Sequence, residues 1–572
     1  MVTCFALVPV IVTLGEKVDV LYYFGFLVWL VLAAGYIKLS RKEKFQKQLT
    51  LLRAEWGKAT DRKRDFEDIE AFHICTSDTK DGTCLDDQTW TDMNMEQLYT
   101  VIDRTFTSPG QSVLYKILRT PQLSDEKLKE RNAVVCQLLK HPNLRGKIQL
   151  DLMRLGRQRQ PGITSLIWGE IPAPTPFRHV YSALALSALA ALVLGYTFLG
   201  LSSGILVVLP VYLIIMIVTY RIRLQLMCHL TSIRYLGDMI RVAKSLATLD
   251  CVELSKYTQG FGAIVPVVQS IASKTKFLKP ENSVSSDTGE MVYGHLNTYF
   301  LQEVRTFYAV LDKLRAHQKE LQILYSLIGE LDALLAVASY RHELGDALSE
   351  PLFVQEDMLT AKDLKHPLLS ESVPNSISLL AKGATITGSN MAGKTTFLRT
   401  LGVNAILAQT LYVTLSASYK AKPFRIISSL NDSDDLLAGK SYYLAEAENL
   451  LRMVRASEQD TPVLCLIDEP LAGTNSSERI AASREILRYL IKHNALVFVS
   501  MHDLELARLL EPGYESHHFS DDVNQQGLTF DYKLRQGIAT TSNAIKLLNY
   551  LDYPKEIVEK AAEIARGSKH AT

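Results

Sequence analysis

The sequence predicts an α/β domain joined to a mainly α-helical region that carries transmembrane helices, and three observations predict it. Two apolar blocks, Val18–Ile37 and His179–Tyr220, have the length and the lack of charge of bilayer-crossing helices. The remaining chain up to about residue 350 is poor in Gly and Pro and carries a long mixed periodicity of charged and apolar residues. From about Pro351 short β-rich runs alternate with helices, which is the texture of an α/β fold. The 572 residues exceed what one core usually holds, roughly 250 to 300. The chain accordingly divides into an N-terminal membrane anchor at 1–45, a helical domain at 46–350 interrupted by a transmembrane hairpin at about 179–220, and an α/β domain at 351–572.

In the first block only Asp19 is charged, and as a helix Val18–Ile37 reaches about 30 Å, the thickness of a bilayer core. Lys38, Arg41, Lys42 and Lys44 follow directly and place that end in the cytoplasm. Val2–Leu14 is short for a span and lacks the basic start of a signal peptide, so it forms half of a hairpin or lies in the interface. The second block runs from Arg178 to Arg221 with no acidic or basic residue between them apart from His179, and has Gly200, Ser202, Ser203 and Gly204 at its middle. Two short spans joined by that Gly/Ser turn are the economical reading, with a buried hairpin of a soluble core as the alternative. Arg178 on one side and Arg221 with Arg223 on the other put both ends in the cytoplasm. Arg221–Leu249 and Tyr299–Arg341 read as long amphipathic helices.

Lys+Arg 62 against Asp+Glu 61 leaves a formal net charge of +1, so the whole chain does not advertise a polyanionic partner. One local basic run, Lys140–Arg159, could meet nucleic-acid phosphate, anionic lipid headgroups or simply solvent. The seven cysteines are odd in number and scattered, unlike a secreted disulfide framework, and fit a reducing cytosol.

The α/β part carries the chemistry. Gly388, Gly393, Lys394 and Thr395 in "TITGSNMAGKTTFL" spell G-x-x-x-x-G-K-T between a β-run and a helix. In that setting the loop Gly388, Ser389, Asn390, Met391, Ala392, Gly393, Lys394, Thr395, Thr396 is an ATP-binding P-loop. Lys394 reaches the β/γ oxygens and Thr395 offers its hydroxyl to Mg²⁺. "VLCLIDEP", Val463–Pro470, is an apolar strand ending in two carboxylates, Asp468 for the Mg²⁺ site and Glu469 to orient or deprotonate the attacking water. A third apolar run, Ala495–Asp503, delivers His502 as a sensor of the γ-phosphate.

Many nucleotide hydrolases share these three motifs. The intervening stretches "SDDLLAGKSYYLAEAENLL" (Ser433–Leu451) and "DEPLAGTNSSE" (Asp468–Glu478), with "TGSNMAGKTTFLRT", resemble the ATPase domain of the MutS family of DNA mismatch-repair proteins. "KHPLL" at Lys365–Leu369, "VPNSISL" at Val373–Leu379 and "YKLRQGIATTSNAIKLL" at Tyr532–Leu548 extend the resemblance. "LDDQTWTDMNMEQLY", "IDRTFTSPGQSVLYKILRTPQL" and "GELDALLAVA" look like pieces of that family's helical core. The resemblance implies a homodimer through the ATPase domain, with Ser441 acting in trans on the ATP bound by the other subunit. It also implies DNA as partner.

Departures accompany the likeness. No Phe-x-Glu triplet, the mismatch-reading element of the family, occurs anywhere in the chain. Ala392 replaces a glycine and Tyr442 the usual threonine, both chemically tolerable. The expectation is a multi-pass protein of the cytoplasmic membrane, with its ATPase domain in the cytoplasm, binding mismatched, branched or damaged duplex. The alternative is a membrane mechanoenzyme or transport-coupled ATPase that no longer binds DNA.

Overall fold

In the computed structural model, residues 25–77, 83–158, 162–169, 171, 178–275, 300–380, 382–389, 392–430, 442–473, 475–524, 527–539, 548, 551 and 553–568 are described. Val2–Leu14 and the first part of Val18–Ile37 lie outside them.

Among the described residues the α/β region holds ten strands: β1 Leu352–Phe353, β2 Met358–Leu364, β3 Asn375–Leu380, β4 Gly383–Thr387, β5 Ser418–Ala421, β6 Arg425–Ser429, β7 Val463–Asp468, β8 Ala495–Met501, β9 Tyr514–Asn524 and β10 Gly527–Gln536. They form a four-stranded sheet in the order β1-β5-β2-β3 and a six-stranded sheet in the order β10-β9-β4-β8-β7-β6. In the larger sheet β9, β4, β8, β7 and β6 are parallel and β10 closes one edge antiparallel. The interior strands are buried almost throughout, so they read as continuous apolar runs instead of alternating ones. Parallel strands bring their C-terminal ends, with the residues after them, to one rim of the sheet. That places Gly388, Asp468 and His502 side by side.

The helical part is not a separate core. One buried apolar cluster runs from Ile69 and Trp90 through the helices into β4, β7 and β8. The seam is tight: a Cβ on Gly402 would lie 2.4 Å from Met93 Sδ and 2.7 Å from Leu466 Cδ1. At its centre stands Gln318–Leu344, whose fully buried Asp332 accepts hydrogen bonds from Phe106 N (3.1 Å), Thr107 N (2.8 Å) and Thr107 Oγ1 (2.6 Å) at the start of helix Ser108–Arg119. Burial pushes the Asp332 carboxyl up to about 7. Among the described residues Gln318–Ala347 is the helix long and apolar enough to cross a membrane, and 72% of its apolar window is buried in the protein, so it is a core helix. The single amphipathic helix expected over Tyr299–Arg341 is instead two, Gln302–Ala316 and Gln318–Leu344, because His317 leaves helical geometry between them.

The His179–Tyr220 block also differs from expectation in one respect. Helical backbone extends over Arg178–Leu246, including the Gly/Ser residues expected to form a loop. Glycine weakens a helix by only about 1 kcal/mol relative to Ala, which an apolar helix tolerates. The helix is nevertheless bent sharply back on itself, which an α-helix achieves only by interrupting its hydrogen-bond ladder at the bend. Tyr181 stacks on Tyr308 at 5.5 Å while His229 lies 6.2 Å from the neighbouring Phe307. A straight helix would hold residues 181 and 229 roughly 70 Å apart. Ala185 and Ile215 likewise share one cluster with Leu301 and Val304, so the two arms lie against each other.

The N-terminal helix Gly25–Glu55 continues from the apolar block through the basic residues to the core, where Leu52 is buried and Leu49 abuts Gly146.

Candidate functional site

The P-loop leaves β4 at Gly388 and enters helix Lys394–Leu411 at Gly393. Gly388 has φ 143° and Gly393 φ 99°, a region where side chains are strained. A Cβ on Gly388 would also sit 2.8 Å from Phe519 O. These glycines therefore let the loop curl where another residue would not.

Lys394 is almost wholly buried, and its Nζ donates to Gly388 O at 2.9 Å. The same ammonium lies 3.2 Å from His502 Nε2 and 4.0 Å from Glu469 Oε1. Burial lowers the Lys394 pKa, while Glu469 and Asp468 hold it up. Thr395 Oγ1 donates to Asp468 Oδ2 at 2.5 Å, and Ser500 Oγ bonds the other carboxylate oxygen. Glu469 accepts from His502 at 2.7 Å, a contact that with nearby Lys394 and Arg479 keeps its pKa below the ordinary carboxylate range. It is ionised at neutral pH, as a general base must be. Its backbone has φ 45° and is pinned by Glu469 N donating to Ser500 O at 3.0 Å. A non-glycine residue held in that region is a strained position, of the kind that collects at functional sites.

The expected residues thus converge: Gly388, Ser389, Ala392, Gly393, Lys394, Thr395, Thr396, Asp468, Glu469 and His502 lie about one rim. Asn390, Met391 and Ser441 fall outside the described residues. Whether the loop fits a nucleotide and Mg²⁺ can be judged from the groups present. Ser389 Oγ is buried without a partner among the described groups, a donor suited to phosphate oxygen. A hydroxyl and a carboxylate already in contact, Thr395 and Asp468, are hard oxygen donors of the type Mg²⁺ takes. The residues fit both groups.

Sequence reasoning missed the cavity beside the loop, about 370 Å³, lined by Val373, Asn375, Thr396, Phe397, Phe519 and Tyr532 among others. Its mixed apolar and aromatic wall next to Thr395 suits the flat base of a nucleotide. Asn375 builds one side: its Nδ2 donates to Tyr532 O at 2.9 Å and its Oδ1 accepts from Leu534 N at 2.7 Å. Those bonds hold the irregularity between Phe530 and Leu534 that turns Tyr532 to φ 53°. Glu446 was also missed: it accepts from Ala472 N and Gly473 N at 3.2 and 3.3 Å and braces the turn after Glu469. Both Asn375 and Glu446 sit inside quoted motif stretches, but neither has a chemistry that stands out in one dimension.

The core-like segment reaches the site as well. Asp92, fully buried, accepts from Ser428 Oγ (2.7 Å), Leu430 N (2.9 Å) and Gln88 Nε2 (2.8 Å), and its carbonyl accepts from Arg399 Nε (2.9 Å) on the P-loop helix. It clamps the end of β6 just before residues 431–441.

The basic run Lys140–Arg159 is less available than its charge suggests. Arg145 is buried 4.0 Å over the Trp56 ring, Arg154 pairs with Asp151 at 3.0 Å, and Arg157 donates to Thr105 O. Lys140 and Lys147 remain exposed.

A family model, MutS domain V, matches residues 384–568, the stretch that holds every site strand from β4 onward. The chain belongs to the MutS family. It is 27% identical to the DNA mismatch repair protein MutS of Thermus aquaticus over 298 residues, 51% of this chain and 36% of that protein. Against a MutS of Thermus thermophilus the identity is 28% over 266 residues, 46% of this chain and 32% of that one. Endonuclease MutS2 of Staphylococcus epidermidis is 27% identical over 313 residues, 54% of this chain and 39% of that one. This MutS-family chain therefore aligns with about a third of the length of the curated relatives it matches. Residues 384–568 match a MutS domain V.

Proposed function

We propose that this MutS-family chain is an ATPase attached to the cytoplasmic membrane, working as a homodimer and acting on DNA. The observation that carries the reading is the buried Lys394 bracketed by Gly388 O, His502 and Glu469, with Thr395 and Asp468 in contact beside it. ATP supplies the phosphates that the loop glycines and Lys394 hold. A bound Mg²⁺, held through Thr395 and Asp468, would neutralise charge on the phosphate oxygens. Glu469 takes the proton of the water whose oxygen bonds the γ-phosphorus, the bond from that phosphorus to the bridging oxygen breaks, and ADP leaves with phosphate. Lys394 and His502 stabilise the charge that develops on the transferred group. Ser441 of a second copy completes the site on this reading.

DNA enters through the family: the relatives at this similarity are named DNA mismatch repair proteins. A second reading, an ATPase acting on the membrane without DNA, is favoured by the internal engagement of Arg145, Arg154 and Arg157. The test is ATP turnover of the full chain in lipid nanodiscs with homoduplex, mismatched or four-way-junction DNA across a salt titration, with Lys394→Ala as the blank. Stimulation by one DNA form that weakens with salt supports DNA as partner. Turnover that responds to lipid and ignores every DNA supports the second reading, and turnover equal in Lys394→Ala refutes the site.

A further inference from the structure

We propose that Asp86 and Thr89 are positioning residues for the ATP bound by the partner subunit: they hold both flanks of residues 431–441, the segment from which Ser441 acts in trans. This rests on the reading of the ATPase site as composite and adds residues of the helical part on which that site depends.

β6 ends the larger sheet and pairs along one side, with β7. In a strand the N–H and C=O of one residue point to the same edge, and those of every second residue share it. Arg425 N donates to Pro462 O on the β7 side, so residues 427 and 429 face β7 while Ser428 and Leu430 face the open edge. Ser428 is fully buried and Leu430 nearly so. Buried backbone groups at an edge need partners. Ser428 N donates to Thr89 Oγ1 at 3.1 Å, and Leu430 N donates to Asp92 Oδ2 at 2.9 Å. Thr89 and Asp92 both stand on the helix Asp87–Asp92, which thereby takes the place of a further strand.

Arg452 brings in the other flank. It lies on the helix Tyr442–Ser457, which starts directly after residue 441, and its Nη2 donates to Ser428 O at 2.7 Å. Its Nη1 pairs with Asp86 Oδ1 at 2.6 Å, the two side chains being 26% and 32% exposed. The same Oδ1 accepts from Thr89 N at 2.7 Å and caps the helix Asp87–Asp92. One carboxylate therefore fixes both the helix that holds the strand before the segment and the arginine of the helix after it. Fixing both flanks narrows where a residue between them can stand, and a misplacement of about 1 Å can cost about 10²-fold in rate.

The helix Asp87–Asp92 is in turn carried by the helical part of the chain. Trp90 is buried there with the Arg119 guanidinium 4.4 Å from its ring centroid, and Arg119 also pairs with Asp87 at 2.8 Å. Asp92 bonds Arg399 on the P-loop helix as well, so a change at Asp92 would reach the subunit's own nucleotide. Asp86 and Thr89 direct their side chains to Arg452 and Ser428 instead.

The experiment uses mixed dimers of the full chain, purified through two different tags and placed in lipid nanodiscs. One subunit carries Lys394→Ala and keeps Ser441; the other carries Ser441→Ala and keeps its P-loop. Turnover by this pair, absent from either parent homodimer, first tests the composite site by itself. A silent pair refutes that reading and the proposal with it. Asp86→Ser is then added to one subunit or the other. Serine caps a helix about as well as aspartate, so the variant removes the charge that holds Arg452 and keeps the helix start. In the Lys394→Ala subunit, which supplies Ser441, it should lower turnover by about fivefold or more with KM for ATP unchanged, the rate equivalent of one lost hydrogen bond. In the Ser441→Ala subunit it should leave turnover unchanged. Thr89→Val, close in shape but without the acceptor, should show the same asymmetry. Equal losses from both placements mean that the helix only holds the fold together, and overturn the proposal. Turnover untouched by both placements, in a pair that does complement, overturns it and leaves the composite site standing.

Discussion

Replacing Glu469 by Gln tests the site at its most informative atom. The substitution keeps size and hydrogen bonding to His502 but removes the base and one negative charge 4.0 Å from Lys394 Nζ. Loss of a positioned general base typically lowers turnover by about 10² to 10⁴, which is roughly 3 to 5.5 kcal/mol of barrier. Nucleotide binding should move the other way, because the carboxylate competes with phosphate for the same ammonium. Two unit charges at that separation interact by about 4 kcal/mol at an effective dielectric of 20. The Glu469 side chain is 37% exposed, so solvent screening reduces the usable part to about 1 kcal/mol or less. That corresponds to up to about fivefold tighter binding. Single-turnover hydrolysis and equilibrium titration with a fluorescent ATP analogue read the two effects separately. Turnover within threefold of the parent together with unchanged affinity would refute the assignment of Glu469 and the competition for Lys394.

Three further outcomes follow from the geometry. Gly388→Ala places a Cβ 2.8 Å from Phe519 O at φ 143°; a local strain of about 1 to 3 kcal/mol should weaken ATP binding by about fivefold to 150-fold in a folded protein, read by titration beside circular dichroism. Asp92→Ala strands the donors of Ser428, Leu430 and Gln88; at about 1 to 3 kcal/mol for each buried group, urea denaturation should show a loss of roughly 3 to 5 kcal/mol, and an unchanged midpoint would sink the clamp. Asp332 has a folded pKa of about 7, raised from 3.8, so the folded state holds the proton more tightly. Its contribution is complete below about pH 4 and is lost as pH rises through 7, roughly 3 kcal/mol between pH 5 and 8. The difference in stability between parent and Asp332→Asn should change with pH by that amount, and a constant difference would refute it.

The candidate site was legible where the chain itself is continuous. A P-loop is one turn between a strand and a helix, and an acidic pair after an apolar run is one strand end, so each local pattern carries its own geometry. The parallel sheet then has little choice but to gather those ends at one rim. What local pattern could not show is what distant segments do to one another. Asn375 and Tyr532 are 157 residues apart and build the cavity wall together only through the bulge in β10. Asp92 reads as one more acid in a polar helix, and its role exists only because β6 ends against it. Arg145 looks like part of a phosphate-seeking run until Trp56 covers it.

By itself the sequence located the residues of the rim, because Gly388, Lys394, Thr395, Asp468 and Glu469 are each placed by their neighbours in the chain. It also determined that residues 179–220 would be apolar, since no acidic residue, Lys or Arg occurs there. The tertiary structure decided that the two arms of that block pack together, because Ala185 and Ile215 meet only where Leu301 and Val304 bury them. It also decided that the helical and α/β parts share one core, because only side-chain volume across the seam at Met93, Gly402 and Leu466 makes them inseparable.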